Sequence, residues 1–158
     1  MASPSKIKTM NKKNKKNSTK RVSFKDESNS LRFQKEITIK FLEMLVMIKL
    51  FHWKTFDFST HKATDELYAN LNGNVDKFIE VLLGKTGLRT DLLKVKQLKM
   101  VDLKTNEQLK EKISHFKKYL VDLKDNKFMK TMENTDLYNI RDEILSDLNQ
   151  FLYLLTLS

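Results

Sequence analysis

After Pro4 the chain contains no further proline, and its three glycines (Gly73, Gly84 and Gly87) are gathered in one short stretch. A chain so poor in helix-breaking residues, and so rich in Leu, Lys and Asn, points to helices throughout. The apolar residues agree. Phe33, Ile37, Phe41, Met44, Leu45 and Ile48 lead by threes and fours to His52, which is the period of an amphipathic helix. The same step runs through Leu67, Leu71, Val75, Phe78 and Leu82, then through Leu109, Ile113, Phe116 and Leu120, and finally from Leu137 and Ile140 through Ile144 and Leu148 to Leu155. An all-α, four-helix fold is expected, with helices near 31–56, 60–84, 105–125 and 135–157. Ser59 or Thr60 would cap the second helix and Gly84 and Gly87 would end it. Thr105 with Gln108 forms a capping-box pattern for the third, and Asn134 or Thr135 opens the fourth.

About twenty residues, 85–104, connect the second and third helices. An up-down bundle needs only a few residues there. A short helix is expected within it, near 91–99. The first helix carries a second apolar row, Leu42, Val46, Leu50 and Trp53, and is apolar over more than half its girth. Such a helix is buried on two sides, by the bundle and by another chain.

The 158 residues make one domain with a core of its own. There is no cysteine, which excludes disulfides, thiol catalysis and thiolate-bound zinc and fits a reducing compartment. No apolar run approaches the length of a membrane span, and the N-terminus has no apolar signal core. The expectation is an intracellular, non-secreted protein without a membrane partner.

The net charge of +10 is unevenly spread: residues 1–25 hold nine Lys and Arg and no acid, leaving 21 basic against 20 acidic residues in 26–158. Residues 1–30 are read as a disordered basic tail and 31–158 as the bundle. Lys12, Lys13, Lys15, Lys16, Lys20 and Arg21 are candidate nucleic-acid contacts acting by counterion release, or a nuclear-import signal; a solubilising tail is the alternative. No aromatic interleaves these lysines, so base stacking is not indicated.

Chemistry concentrates on the second helix. His61, Asp65, Asp76 and Glu80 lie within about 100° of one another around its axis, at the edge of the apolar stripe. One histidine and three carboxylates so placed suggest metal ligands; the alternative is a solvated flank of i,i+4 acid pairs. Asp65 and Asp76 are separated by roughly 16 Å along the helix, too far to share an ion. They form two half-sites, which meet if two copies of the helix pack antiparallel across a two-fold axis. His52, on the core-facing stripe, is either a hydrogen-bonded core histidine or a further ligand. Histidine and carboxylate donors without sulfur suit iron, zinc or manganese. The third and fourth helices lack the Glu-x-x-His pair of an intrachain di-iron centre. Glu111 and His115, spaced i,i+4, are read as surface residues.

The run from His52-Trp53 through His61-x3-Asp65-x10-Asp76-x3-Glu80, with Asp65-Glu66-Leu67-Tyr68 inside it, resembles the Dps-like miniferritins. That resemblance implies a ferritin-like four-helix bundle, whose long crossover lets the third helix run parallel to the second. It also implies a homodimer or larger homo-oligomer with Fe(II) bound and oxidised between chains. His52, His61 and Asp65 would come from one chain, and Asp76 and Glu80 from its partner. The chain departs from the family pattern in a gap between His52 and His61 that is three residues shorter. The same stretch is similar to an uncharacterised group of proteins from large DNA viruses, which would place the chain in the host cytoplasm, the nucleus or the virion. Lys20-Arg21-Val22-Ser23-Phe24 resembles the docking motif for type-1 serine/threonine phosphatases, with Arg21, Val22 and Phe24 as its anchors on a sheet edge. Ser23 would be a phosphorylation site within it. Two rival functions therefore stand beside the ferroxidase: a non-enzymatic DNA-packaging bundle, and an adaptor that recruits a phosphatase.

Overall fold

The computed structural model describes residues 24–92, 94–131 and 133–157. These form four helices, α1 (Phe24–Lys54), α2 (Phe58–Thr86), α3 (Asn106–Asp122) and α4 (Thr135–Leu154), with two 3₁₀ turns between α3 and α4 and no strand among the described residues. None of the helices is long and apolar enough to cross a membrane.

Polar contacts fix the helix directions. Gln34, near the start of α1, donates from Nε2 to Thr86 Oγ1 at the end of α2 at 2.8 Å, so α1 and α2 are antiparallel. Lys85 at the end of α2 holds Asp136 in the first turn of α4 at 2.9 Å, and Asn74 donates to Asp147 at 2.9 Å further along. α4 is therefore antiparallel to α2. Asn106, the first residue of α3, donates to Thr60 Oγ1 in the first turn of α2 at 3.2 Å. Beyond the other end of α3, the Phe128 ring packs on Phe33 of α1, centroids 5.0 Å apart. α3 thus runs in the same direction as α2. The connection 87–105 makes this possible by passing along α1. Its Lys99 N–H reaches Glu43 Oε1 at 3.2 Å, and Asp102 pairs with Lys54.

The core follows the apolar spacing. Phe41 sits at its centre, edge-on to Phe78 with centroids 5.3 Å apart and near Phe116 at 6.1 Å. Leu71, Leu82, Leu109, Ile113, Leu137 and Leu148 close around it without solvent exposure. Truncating a ring in such a position costs about 3–5 kcal/mol.

Several element ends differ from expectation. α1 begins at Phe24 rather than near Leu31, because its early turns are held by buried polar contacts that an apolar pattern does not show. Ser30 and Gln34 are both buried, and Gln34 donates to Ser30 Oγ as well as to Thr86. Phe24 of the expected docking motif is the first residue of α1. Arg21, Val22 and Ser23 of that motif lie outside the described residues, as do Lys12, Lys13, Lys15, Lys16 and Lys20. α2 begins at Phe58 and is capped by Asp57, whose carboxylate accepts from the N–H groups of both Ser59 and Thr60. Inside α2, Gly84 is an ordinary helical residue, whereas Gly87 supplies the left-handed cap at φ 67°. No helix forms among the described residues of 91–99; a single turn, Val95 N–H to Leu92 O, stands there instead. Thr105 caps α3 by accepting from Gln108 N–H, while Gln108 reaches back to Lys104 N–H.

Candidate metal site

Only Thr55, Phe56 and Asp57 separate α1 from α2. That short link brings His52, in the last turn of α1, against His61 in the first turn of α2. The two rings stack with centroids 3.9 Å apart and planes inclined by 24°. Each Nδ1 lies 3.0 Å from the other residue's backbone carbonyl. A carbonyl only accepts, so Nδ1 carries the proton in both rings. In the neutral imidazoles Nε2 then keeps its lone pair on both, which is how a backbone carbonyl orients a ligating histidine. Thr64 steadies the pair: its Oγ1 lies 3.3 Å from His52 Nδ1 and bonds to the carbonyls of Thr60 and His61.

Asp65 stands one helical turn beyond His61. Its Oδ1 is 3.7 Å from His52 Nε2 and also 3.7 Å from Lys49 Nζ. At 3.7 Å the carboxylate and the imidazole nitrogen are beyond hydrogen-bond distance, and the Lys49 ammonium on the other side balances the Asp65 charge. His52 is buried, while the Asp65 side chain is 55% exposed; the cluster opens outward through the carboxylate. Lys49 belongs to this cluster and was not singled out from the sequence. Its ammonium sits over the Tyr68 ring at 4.6 Å and near Trp53 at 5.9 Å. The available signal was a lysine standing beside the outer apolar row of α1, at Leu50 and Trp53.

Asp76 and Glu80 lie further along α2, both exposed. Neither forms a hydrogen bond or ion pair with another described residue. Two unpaired carboxylates at i,i+4 repel each other on a helix surface. Among the described residues, no three His, Asp or Glu side chains of one chain gather into a metal-binding group. The structure stacks His52 on His61 and leaves Asp65 3.7 Å from His52 without completing a metal-binding group, and Asp76 and Glu80 stand apart from them.

The aromatic residues at this end are open to solvent. Trp53 is 67%, Phe58 75% and Phe56 fully exposed. Leu42, Val46 and Leu50, the outer row of α1, are half-buried within one chain.

A helical hairpin that presents paired histidines, packed against two further helices, is the form in which this chain meets the known families. Residues 52–155 match the model of a family of unknown function (DUF5856), and the chain belongs to that family. No curated protein and no solved structure matches it.

Proposed function

We propose that the chain is a ferritin-like, Dps-like protein that takes Fe(II) as its substrate at sites shared between two copies, with zinc or manganese as alternative ions. The observation that carries this reading is the His52–His61 pair. Both Nδ1 atoms are committed to backbone carbonyls, and His52 Nε2 faces Asp65 at 3.7 Å. Asp76 and Glu80, unpaired among the described residues, would supply the acidic half that such a pair lacks. Packing two α1–α2 hairpins antiparallel across a two-fold axis would cover the half-buried row Leu42, Val46 and Leu50 and bring each acidic half to a histidine half. The parallel course of α2 and α3 and the crossover along α1 support the ferritin-like reading. Oxidation of bound Fe(II) to Fe(III) would pass one electron per iron to an external oxidant, dioxygen or peroxide; the residues' part would be to bind the ion and balance its charge. The basic segment 1–25 would hold nucleic acid by its charge alone.

Lys49 favours a second reading. Its ammonium already lies beside Asp65 and would compete with a metal ion for that carboxylate, leaving a bundle that organises nucleic acid without oxidising iron.

Melting of the full chain with and without divalent metal separates the two. On the ferroxidase reading, metal binds only the assembled state and stabilises it by about 2.7 kcal/mol at a hundredfold excess over Kd. Glu80→Gln abolishes that rise, because it removes a charged ligand while keeping the shape. Wild-type protein with neither metal stabilisation nor Fe(II) oxidation would leave the second reading standing.

A further inference from the structure

The slot between α1 and α3 lies apart from the histidine pair. Four residues of α1 at helical spacing, Lys40, Glu43, Met44 and Met47, face four of α3 at the same spacing, Lys112, His115, Phe116 and Tyr119. Val101 of the crossover closes one side, and the cavity so formed measures about 200 Å³. Pockets for drug-sized ligands run from roughly 300 to 1,000 Å³, so this one suits a smaller molecule.

Its chemistry is divided between floor and rim. Met44, Met47 and Phe116 make a buried apolar floor, and methionine adapts its shape to what it covers. At the rim, Glu43 is already matched, lying 4.0 Å from Lys40 Nζ and accepting the Lys99 N–H at 3.2 Å. Lys112 has no ion pair or hydrogen bond with any described residue. Tyr119 carries a hydroxyl that is shut off from solvent and has no partner among the described residues. Burial, with the Glu36 carboxylate adding to it, pushes this phenol well above its ordinary pKa, so the group is an O–H donor. A buried donor without an acceptor destabilises the fold that contains it. Of the slot's polar groups, the Lys112 ammonium and the exposed His115 ring have no side-chain partner among the described residues, and the Tyr119 hydroxyl lies shut away behind the lining; the open rim therefore offers a cation with no anionic acceptor.

We infer that this slot is a binding site for a small amphiphilic anion, a carboxylate carried on a short apolar chain or a single ring. The apolar part lies on Met44, Met47 and Phe116, and the carboxylate accepts from Lys112 at the rim. A neutral analogue loses the charge-assisted bond, and an amine meets Lys40 and Lys112 as a like charge. The site does not depend on the iron chemistry proposed above.

The two floor methionines report on it directly. The full chain, labelled at its methionine methyl groups, is titrated with hexanoate, hexan-1-ol and hexylamine while the methyl resonances are followed by NMR. Hexanoate should shift Met44 and Met47 saturably and leave Met129, buried elsewhere in the core, in place. Hexanol should bind about tenfold more weakly, the usual worth of one charge-assisted hydrogen bond, and hexylamine should give no saturable shift. Lys112→Gln, at a half-exposed position, should weaken hexanoate by about the same factor, whereas Tyr119→Phe, which removes a hydroxyl behind the lining, should leave its affinity unchanged. Each variant's ligand-free methyl spectrum verifies that it has folded. Equal binding of hexanoate and hexanol, undiminished binding by Lys112→Gln, or no saturable shift at Met44 and Met47 would overturn the assignment.

Discussion

At the scale of single residues, the α1–α2 turn shows how several candidate groups resolve into distinct roles. The sequence suggests Ser59 or Thr60 as the N-cap of α2, but both lie inside the helix. Asp57 takes the position because its backbone is extended there (φ −86°, ψ 119°) and its two oxygens reach two N–H groups. Hydrogen bonds from the Ser59 and Thr60 hydroxyls, then the Thr60 N–H, lower its pKa to about 2. A carboxylate with a depressed folded pKa contributes stability that is present above its unfolded value and lost as pH falls through the folded one. Asp57→Ala should therefore lower the melting temperature at neutral pH. The difference from wild type should shrink between about pH 4 and pH 2, whereas Asp57→Asn should keep a cap that does not titrate. Thermal melts across that range decide it; a constant gap for Asp57→Ala would show that ionisation is not what the cap uses. The histidines teach the same lesson. Their residue type and their place beside the turn were visible in the sequence. The reciprocal Nδ1-to-carbonyl bonds were not, because they depend on how tightly a three-residue link folds back. Lys49 was passed over because a lysine beside an apolar row looks like a solvated edge.

At the scale of elements, legibility followed burial of apolar side chains. α2, α3 and α4 carry an unbroken apolar step that selects their buried apolar residues, with Thr60 and Thr64 buried as well in the first turns of α2. The start of α1 was hidden because no apolar step extends before Phe33; the buried residue there is Ser30, which accepts from Gln34. The expected helix at 91–99 fails for the opposite reason. Leu98 and Met100 remain exposed in that stretch, so a helix there would have no face to bury, and isolated short helices are marginal in water. The outer row of α1 bears on assembly. If it lies between two copies, Val46→Glu places a charge in an apolar interface and should yield a folded monomer with wild-type helicity. Sedimentation or light scattering, read beside circular dichroism, checks both parts. A variant whose mass matches the wild type would remove this row from the interface.

For the molecule as a whole, charge and chemistry occupy different parts of the chain. Nine Lys and Arg within residues 1–25 account for nearly all of the net charge, and the remainder carries +1. Duplex nucleic acid should therefore bind without sequence preference, and a chain lacking 1–25 should not bind it. Affinity of the full chain should fall on the order of 10³-fold or more between about 50 and 200 mM salt if most of these cations contact phosphate. Undiminished binding by the truncated chain would place the binding surface on the bundle instead. The proposed function rests on sharing a site across two copies, and mixed assemblies test that most directly. His61→Ala and Glu80→Gln chains are each inactive on this account. In a hybrid dimer one site lacks both residues and the other retains both, so each hybrid recovers one working site. Random pairing of equal amounts makes half the dimers hybrid, and Fe(II) oxidation should return to about a quarter of the wild-type rate if the sites act independently. No recovery from two variants that co-assemble, with the wild type active, would contradict a site shared between chains.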